Sequence, residues 1–150
     1  LCAYQESALV VLNVFSEKNY GKELFQMIDF NNASFLKLRS VPASNFANMV
    51  SPLLADGESI LYAFQSIRDG VVFTQKRIIA INVQGVTGKK RDLTSLPYCK
   101  VQTFSIETAG VMDLDAELDL WFSGAGNVRF EFTGGVDVAV LCRLISDGVL

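Results

Sequence analysis

The 150-residue chain contains no histidine. That removes the commonest general base and the commonest transition-metal ligand together, and a Ser-His-Asp triad with them. Cysteine is scarce: Cys2, Cys99 and Cys142 are far apart, odd in number and without Cys-x-x-Cys spacing. Neither a disulfide framework nor a zinc site is built that way, and reduced thiols of a cytosolic protein fit better. No apolar run approaches the roughly 20 residues that span a bilayer. Ala8–Phe15 (ALVVLNVF) looks like a signal core, but no basic segment precedes it and no small-residue cleavage site follows. A net charge of -3 has the wrong sign for a surface given over to nucleic acid.

What is present suits a single folded domain. Half of the residues are hydrophobic, and this length buries a substantial core. The first methionine is Met27, and residues 1–26 read as an extension ahead of a domain spanning 27–150. The alternative is a native N-terminal element, with Ala8–Phe15 as a strand or buried helix.

Phe46, Met49, Val50, Leu53 and Leu54 fall on one helical face, with Ser44 or Asn45 as its cap. Pro52 within that pattern implies a kink or two short helices. From Ser59 the texture changes to short β-branched and aromatic runs separated by turn residues. They are SILYAFQSI, VVFT, RIIAINV, KKRDLTSL, KVQTFSIET, AELDLWF and VRFEF. Seven strands joined by tight turns predict an antiparallel meander curled into a small barrel or sandwich. Phe64, Phe73, Phe104, Phe130 and Phe132 alternate as barrel-core residues should. A stacking platform for nucleic acid would need basic residues interleaved with them. After Gly134-Gly135, Val136, Val140, Leu141, Leu144 and Ile145 form the stripe of a closing helix. Asp137 lies at its start, and Asp147-Gly148 supplies a stop signal.

Seven strands and a closing helix form the pleckstrin-homology (PH) topology. The block IRDGVVFTQKRIIAINVQGVTGKKRDLTSLPYCKVQTFSIETAG, followed by DLDAELDLWFSG and the helix, resembles the bacterial PH-like domains over roughly residues 45–148. Two features depart from eukaryotic PH domains. Those usually carry a tryptophan in the last helix, whereas Trp121 lies on a strand. Phosphoinositide binders place cations around a longer first loop, but here the link is only Arg68-Asp69-Gly70 and VVFT holds no cation. The resemblance therefore does not extend to phosphoinositide binding. It implies a cytosolic, non-enzymatic domain that forms cyclic homo-oligomers and presents a joint polar surface to another protein.

Charge is segregated along the chain. Arg68 to Lys100 holds seven cations against Asp69 and Asp92, while Glu107 to Asp137 holds seven anions against Arg129. Within the basic segment, QGVTGKKRD at 84–92 suggests a phosphate cradle. A Walker loop needs four residues between its glycines, a hydroxyl after the lysine and a helix beyond, and none of these is met. Gly85 and Gly88 fit a hairpin turn instead. Arg68, Lys76, Arg77, Lys89, Lys90 and Arg91 are the candidate basic surface. Their alternatives are a solvated strand edge, a weak site for anionic lipid, or an acidic neighbour. Asp113, Asp115, Glu117 and Asp119 recur at every second position in DLDAELD, so a strand there has one charged face. The EF-hand glycine and terminal glutamate are missing, so no calcium site is expected. No catalytic residue, metal or cofactor is expected either. The first functional expectation is a homo-oligomeric protein-interaction module whose basic strand meets the acidic strand of the next copy. A peripheral anionic-lipid-binding domain is the alternative.

Overall fold

The computed structural model describes residues 35–84, 89–108 and 114–150. The expected 1–26 extension, the helix or strand at Ala8–Phe15, Gly85, Gly88 and Asp113 lie outside those residues. The chain runs β1 (Phe35–Val41), α1 (Ser44–Val50), a 3₁₀ turn at Ser51–Leu53, β2 (Ile60–Gln65), β3 (Gly70–Thr74), β4 (Arg77–Gln84) and β5 (Lys90–Pro97). A second 3₁₀ turn at Tyr98–Lys100 leads into β6 (Val101–Glu107), β7 (Ala116–Phe122), β8 (Gly126–Phe132) and α2 (Val138–Val149).

All seven predicted strands are present, and β1 is an eighth. The sheet order is β5-β4-β3-β2-β1-β8-β7-β6. β1 joins two halves: Arg39–Val41 pair antiparallel with β2, while Phe35 and Leu38 pair with β8 in parallel. This one parallel contact qualifies the antiparallel expectation. Within the segment that pairs with β8, between Phe35 and Leu38, Lys37 adopts φ 57° and the register shifts. The resulting bulge lets Phe35 and Leu38, three apart, both reach the core.

The interior is lined from both halves. Phe64 packs 5.7 Å from Phe73 and 4.8 Å from Phe132, ring centre to ring centre, and Phe130 joins the cluster. Phe104, also expected in the core, is half-buried against it. α2 closes one end with Val138, Leu141 and Ile145, so Val138 replaces Val140 in the predicted buried stripe. The Asp137 carboxylate accepts from the Ala139 N–H at 3.0 Å and caps the helix. Asp147-Gly148 does not stop the helix, which continues to Val149. Gly148 instead admits the ring of Tyr98: a Cβ there would lie 2.5 Å from the Tyr98 Cβ.

A second core lies outside the barrel. Phe46 and Val50 of α1 cover Ala63, Val72, Ile79 and Ile81 on the outer face of β2–β4. Gly70 opens the place for the Phe46 ring, where a side chain would collide with it. Pro52 divides this region into an α-helix and a 3₁₀ turn, as its position implies. The cap differs: Ala43 holds the N-cap position, and neither Ser44 nor Asn45 does. Tertiary burial of Phe46 and Val50 holds this short helix without side-chain capping.

Candidate functional site

The six candidate cations divide between two ends of the sheet. Gly70 pairs with Ile81, and the Val83 N–H donates to the Asp69 carboxylate at 3.0 Å. The β2–β3 turn with Arg68 therefore lies beside the end of β4. There Gln84 pairs with Lys90 and Val83 with Arg91, so Lys89, Lys90 and Arg91 share that end. Lys76, in the β3–β4 turn, and Arg77, opposite Pro97, sit at the other end, roughly 20 Å away along the strands. The cations form no single patch.

Arg77, expected as part of a basic surface, is engaged within the chain. Its side chain is 22% exposed and bridges to Glu58, whose side chain is 1% exposed, at 2.9 Å. It also donates to Ser95 Oγ at 3.0 Å and to the Leu53 carbonyl. Glu58 further accepts from Thr74 Oγ1 at 2.7 Å and from the Ala55 N–H at 2.8 Å. Burial alone would raise the Glu58 pKa, but the donors from Arg77, Ala55 and Thr74 outweigh it and hold the carboxyl below its ordinary value. The Tyr98 hydroxyl donates to the Thr74 carbonyl at 2.9 Å; burial and then the Glu58 charge push its pKa far up. This cluster fastens the loop after α1 to the β3–β4 turn.

The β2–β3 turn has a different character. Ser66 N–H donates to the Asp69 carbonyl at 2.8 Å, and the Asp69 N–H returns to Ser66 Oγ at 3.1 Å. That closed turn presents Ile67 at 99% exposure beside exposed Arg68. Sequence reading passed over Ile67, because exposure of one apolar residue has no periodic signature.

The acidic strand is partly as expected. β7 begins at Ala116, so Asp115 precedes it, while Glu117 and Asp119 lie on its outer face. Register adds Glu107 and Glu131, because Glu117 faces both of them directly across neighbouring strands. These two acids were missed although alternation in TFSIE and RFEF turns them outward. Arg129, opposite Asp119, makes two bonds to its carboxylate at 3.0 Å and reaches Glu117 at 3.2 Å. Those bonds to Asp119, together with the surrounding charges of Asp119, Glu117 and Glu131, raise the Arg129 pKa. The acidic pair is thus already engaged within the chain, which sequence spacing did not reveal. Four carboxylates against one guanidinium still leave this face negative. Trp121 stands on the same face, 50% exposed, opposite Thr103 and Asn127.

Among the described residues, no cluster of His, Cys, Asp or Glu could hold a metal ion, and no helix is long and apolar enough to cross a membrane.

The arrangement has close counterparts. A protein of the Shewanella loihica PV-4 DUF1696 family with a PH domain superposes with a TM-score of 0.67 at 40% identity. The match covers 77% of this chain and 99% of that one. A PH domain from Shewanella amazonensis SB2B gives 0.56 at 42% identity, over 79% and 93% of the two chains. Among sequences, the Bacillus subtilis uncharacterized protein YjqA is 45% identical over 94 residues, 63% of this chain and 71% of its own. The bacterial PH domain family model matches residues 29–149. With that match across most of its length, and with the strand order and closing helix above, the chain belongs to the bacterial PH domain family.

Proposed function

We propose that this PH domain is an interaction module that works as a homo-oligomer. In it, the basic start of β5 in one copy meets the acidic side of the β6–β8 sheet in the next. The observation that carries the reading is charge placement in space. Lys89 and Arg91 are exposed at one end of β5. Glu107, Glu117 and Glu131 stand abreast across β6, β7 and β8. Like charges directly opposite one another are unfavourable in an isolated sheet, and a basic neighbour relieves them. Because the two surfaces differ, the contact is heterologous and forms rings when its rotation closes. A ring repeats every polar surface around its axis, which suits multivalent capture of another protein.

Light scattering on the full chain tests this directly. The expected result is an oligomer at micromolar concentration that loosens with salt and with Lys89→Glu or Arg91→Glu. A monomer under all conditions overturns the proposal.

One observation favours a second reading. Ile67 projects from a closed turn beside Arg68, at the same end as Lys89–Arg91, as a peripheral anionic-lipid site would require. Salt-sensitive pelleting with anionic vesicles, lost in Ile67→Asp, supports it; absence of pelleting overturns it.

A further inference from the structure

We propose that the open outer face of β6–β8 binds an extended, arginine-bearing segment of another protein. One arginine lies on the Trp121 indole and a second meets the acidic row. This rests on the reading of the domain as an interaction module, but not on its self-association.

Three rows cross the face. Thr103, Trp121 and Asn127 form the first, Ser105, Asp119 and Arg129 the second, and Glu107, Glu117 and Glu131 the third. An acidic row alone is an ordinary solvated surface. Trp121 is the feature that the fold does not use. The outer face of β2–β4 hides its apolar side chains beneath α1, whereas this indole stays 50% exposed. It stands on the central strand of the three, and its cross-strand neighbours Thr103 and Asn127 are too small to cover it. An exposed indole at the centre of a polar surface is a common anchor of protein contacts.

Charge selects the occupant. Arg129 makes two bonds to the Asp119 carboxylate, so the middle row is balanced and the net negative charge falls on the third. A cation is the group that both the acidic row and an indole face attract. Exposed Lys37 of β1, beside β8, leaves that negative charge strongest toward Glu107 and Glu117. Trp121 and Glu117 are four residues apart on β7, about 13 Å. An extended segment repeats this spacing between its own residues i and i+4, which share one face, with a small polar residue i+2 over the balanced row. Arginine suits the Trp121 end better than lysine, because its planar guanidinium stacks on the ring.

Trp121 is the only tryptophan of the chain, so its fluorescence reports the contact directly. The probe is the acetylated, amidated pentapeptide Arg-Gly-Ser-Gly-Arg, titrated at low salt to millimolar concentration. It is added to the dilute full chain and to Arg91→Glu, in which copies that assemble through Arg91 leave the acidic row free. The expected result is a saturable change in Trp121 emission, with affinity lowered about two- to fivefold by Glu107→Gln and lowered further by salt. The peptide with glutamine in place of both arginines should give no such change. An equal response to the glutamine peptide, an affinity unmoved by Glu107→Gln, or no response in either protein overturns the contact and leaves self-association standing. A monomeric chain that gives the expected titration overturns self-association alone.

Discussion

β4 and β7 are each flanked by a strand on both sides of the same sheet, yet their side chains meet different surroundings. In β4, Ile78 and Ala80 face the barrel interior, while Ile79 and Ile81 face α1, and all four are buried. In β7, Ala116, Leu118, Leu120 and Phe122 face the interior, but Glu117, Asp119 and Trp121 face outward and are not buried. The difference is a cover. A short helix makes the N-terminal half a three-layer structure, whereas the C-terminal half keeps one face open. Apolar burial is concentrated on the covered outer face, and the row of acidic side chains lies on the open one.

The sharpest way to break this contrast is to put the same charge on both outer faces. Ile79→Asp places a carboxylate beneath α1 without a partner and should cost about 4 kcal/mol or more, enough to prevent folding of a marginal domain. Trp121→Asp on the open face should cost only about 1 to 2 kcal/mol, from the half-buried ring it removes and the charge it adds beside other acids. Urea denaturation of both variants measures the gap. Similar losses would mean that the two faces are not differently protected.

Removing the fastening of the cover comes next. Glu58→Gln breaks the half-buried pair with Arg77 and should cost about 2 to 3 kcal/mol, below a fully buried pair because Arg77 reaches solvent. The Glu58 pKa is depressed in the folded state, so its contribution is present above the unfolded value of about 4.3. It is lost as pH falls through the lower folded value. The stability difference between wild type and variant should therefore be largest near neutrality and shrink below about pH 4. A difference that stays constant with pH would show that the Glu58 charge is not what holds the loop.

Gly70→Val attacks the seat of the cover. The new side chain meets the Phe46 ring, and α1 must shift to admit it. Overpacking of this kind costs about 1 to 3 kcal/mol. A double variant with Phe46→Leu should recover part of the loss, because the smaller side chain clears the collision. Chemical denaturation of the single and double variants gives the coupling. Additive losses would show that the two residues do not share the site.

The same comparison explains which features could be read from the sequence. AELDLWF alternates cleanly, so its charged face was legible along with its strand. β1 was not, because the bulge at Lys37 puts Phe35 and Leu38 on one side at a spacing of three. Arg77 counted as one cation among seven, since nothing local shows that Glu58, nineteen residues earlier, is its partner. Gly148 resembled a helix stop, because the ring that requires it, Tyr98, comes from a distant segment. Phe64, Phe73, Phe130 and Phe132 were legible because strand alternation is local. What escaped depends on pairs brought together only by the completed sheet.

The smallest effect probes the open face itself. Glu131 stands directly across from Glu117, which already stands across from Glu107. Arg129 is committed chiefly to Asp119, so it only partly offsets this row. Glu131→Gln keeps the shape of the side chain and removes one of the opposed charges. Stability of the dilute, unassembled chain should rise by about 0.2 to 1 kcal/mol at low salt. The gain should shrink as ionic strength increases, since these half-buried to exposed charges all reach solvent. Thermal melts at two salt concentrations measure both parts. Under the proposed assembly the same variant should also weaken self-association, because it removes negative charge from the surface proposed to meet Lys89 and Arg91. Those opposite signs separate a face shaped for a partner from one shaped for the stability of the single chain. A variant that loses stability and leaves assembly intact would place the acidic row on the structural side of the comparison, alongside Glu58.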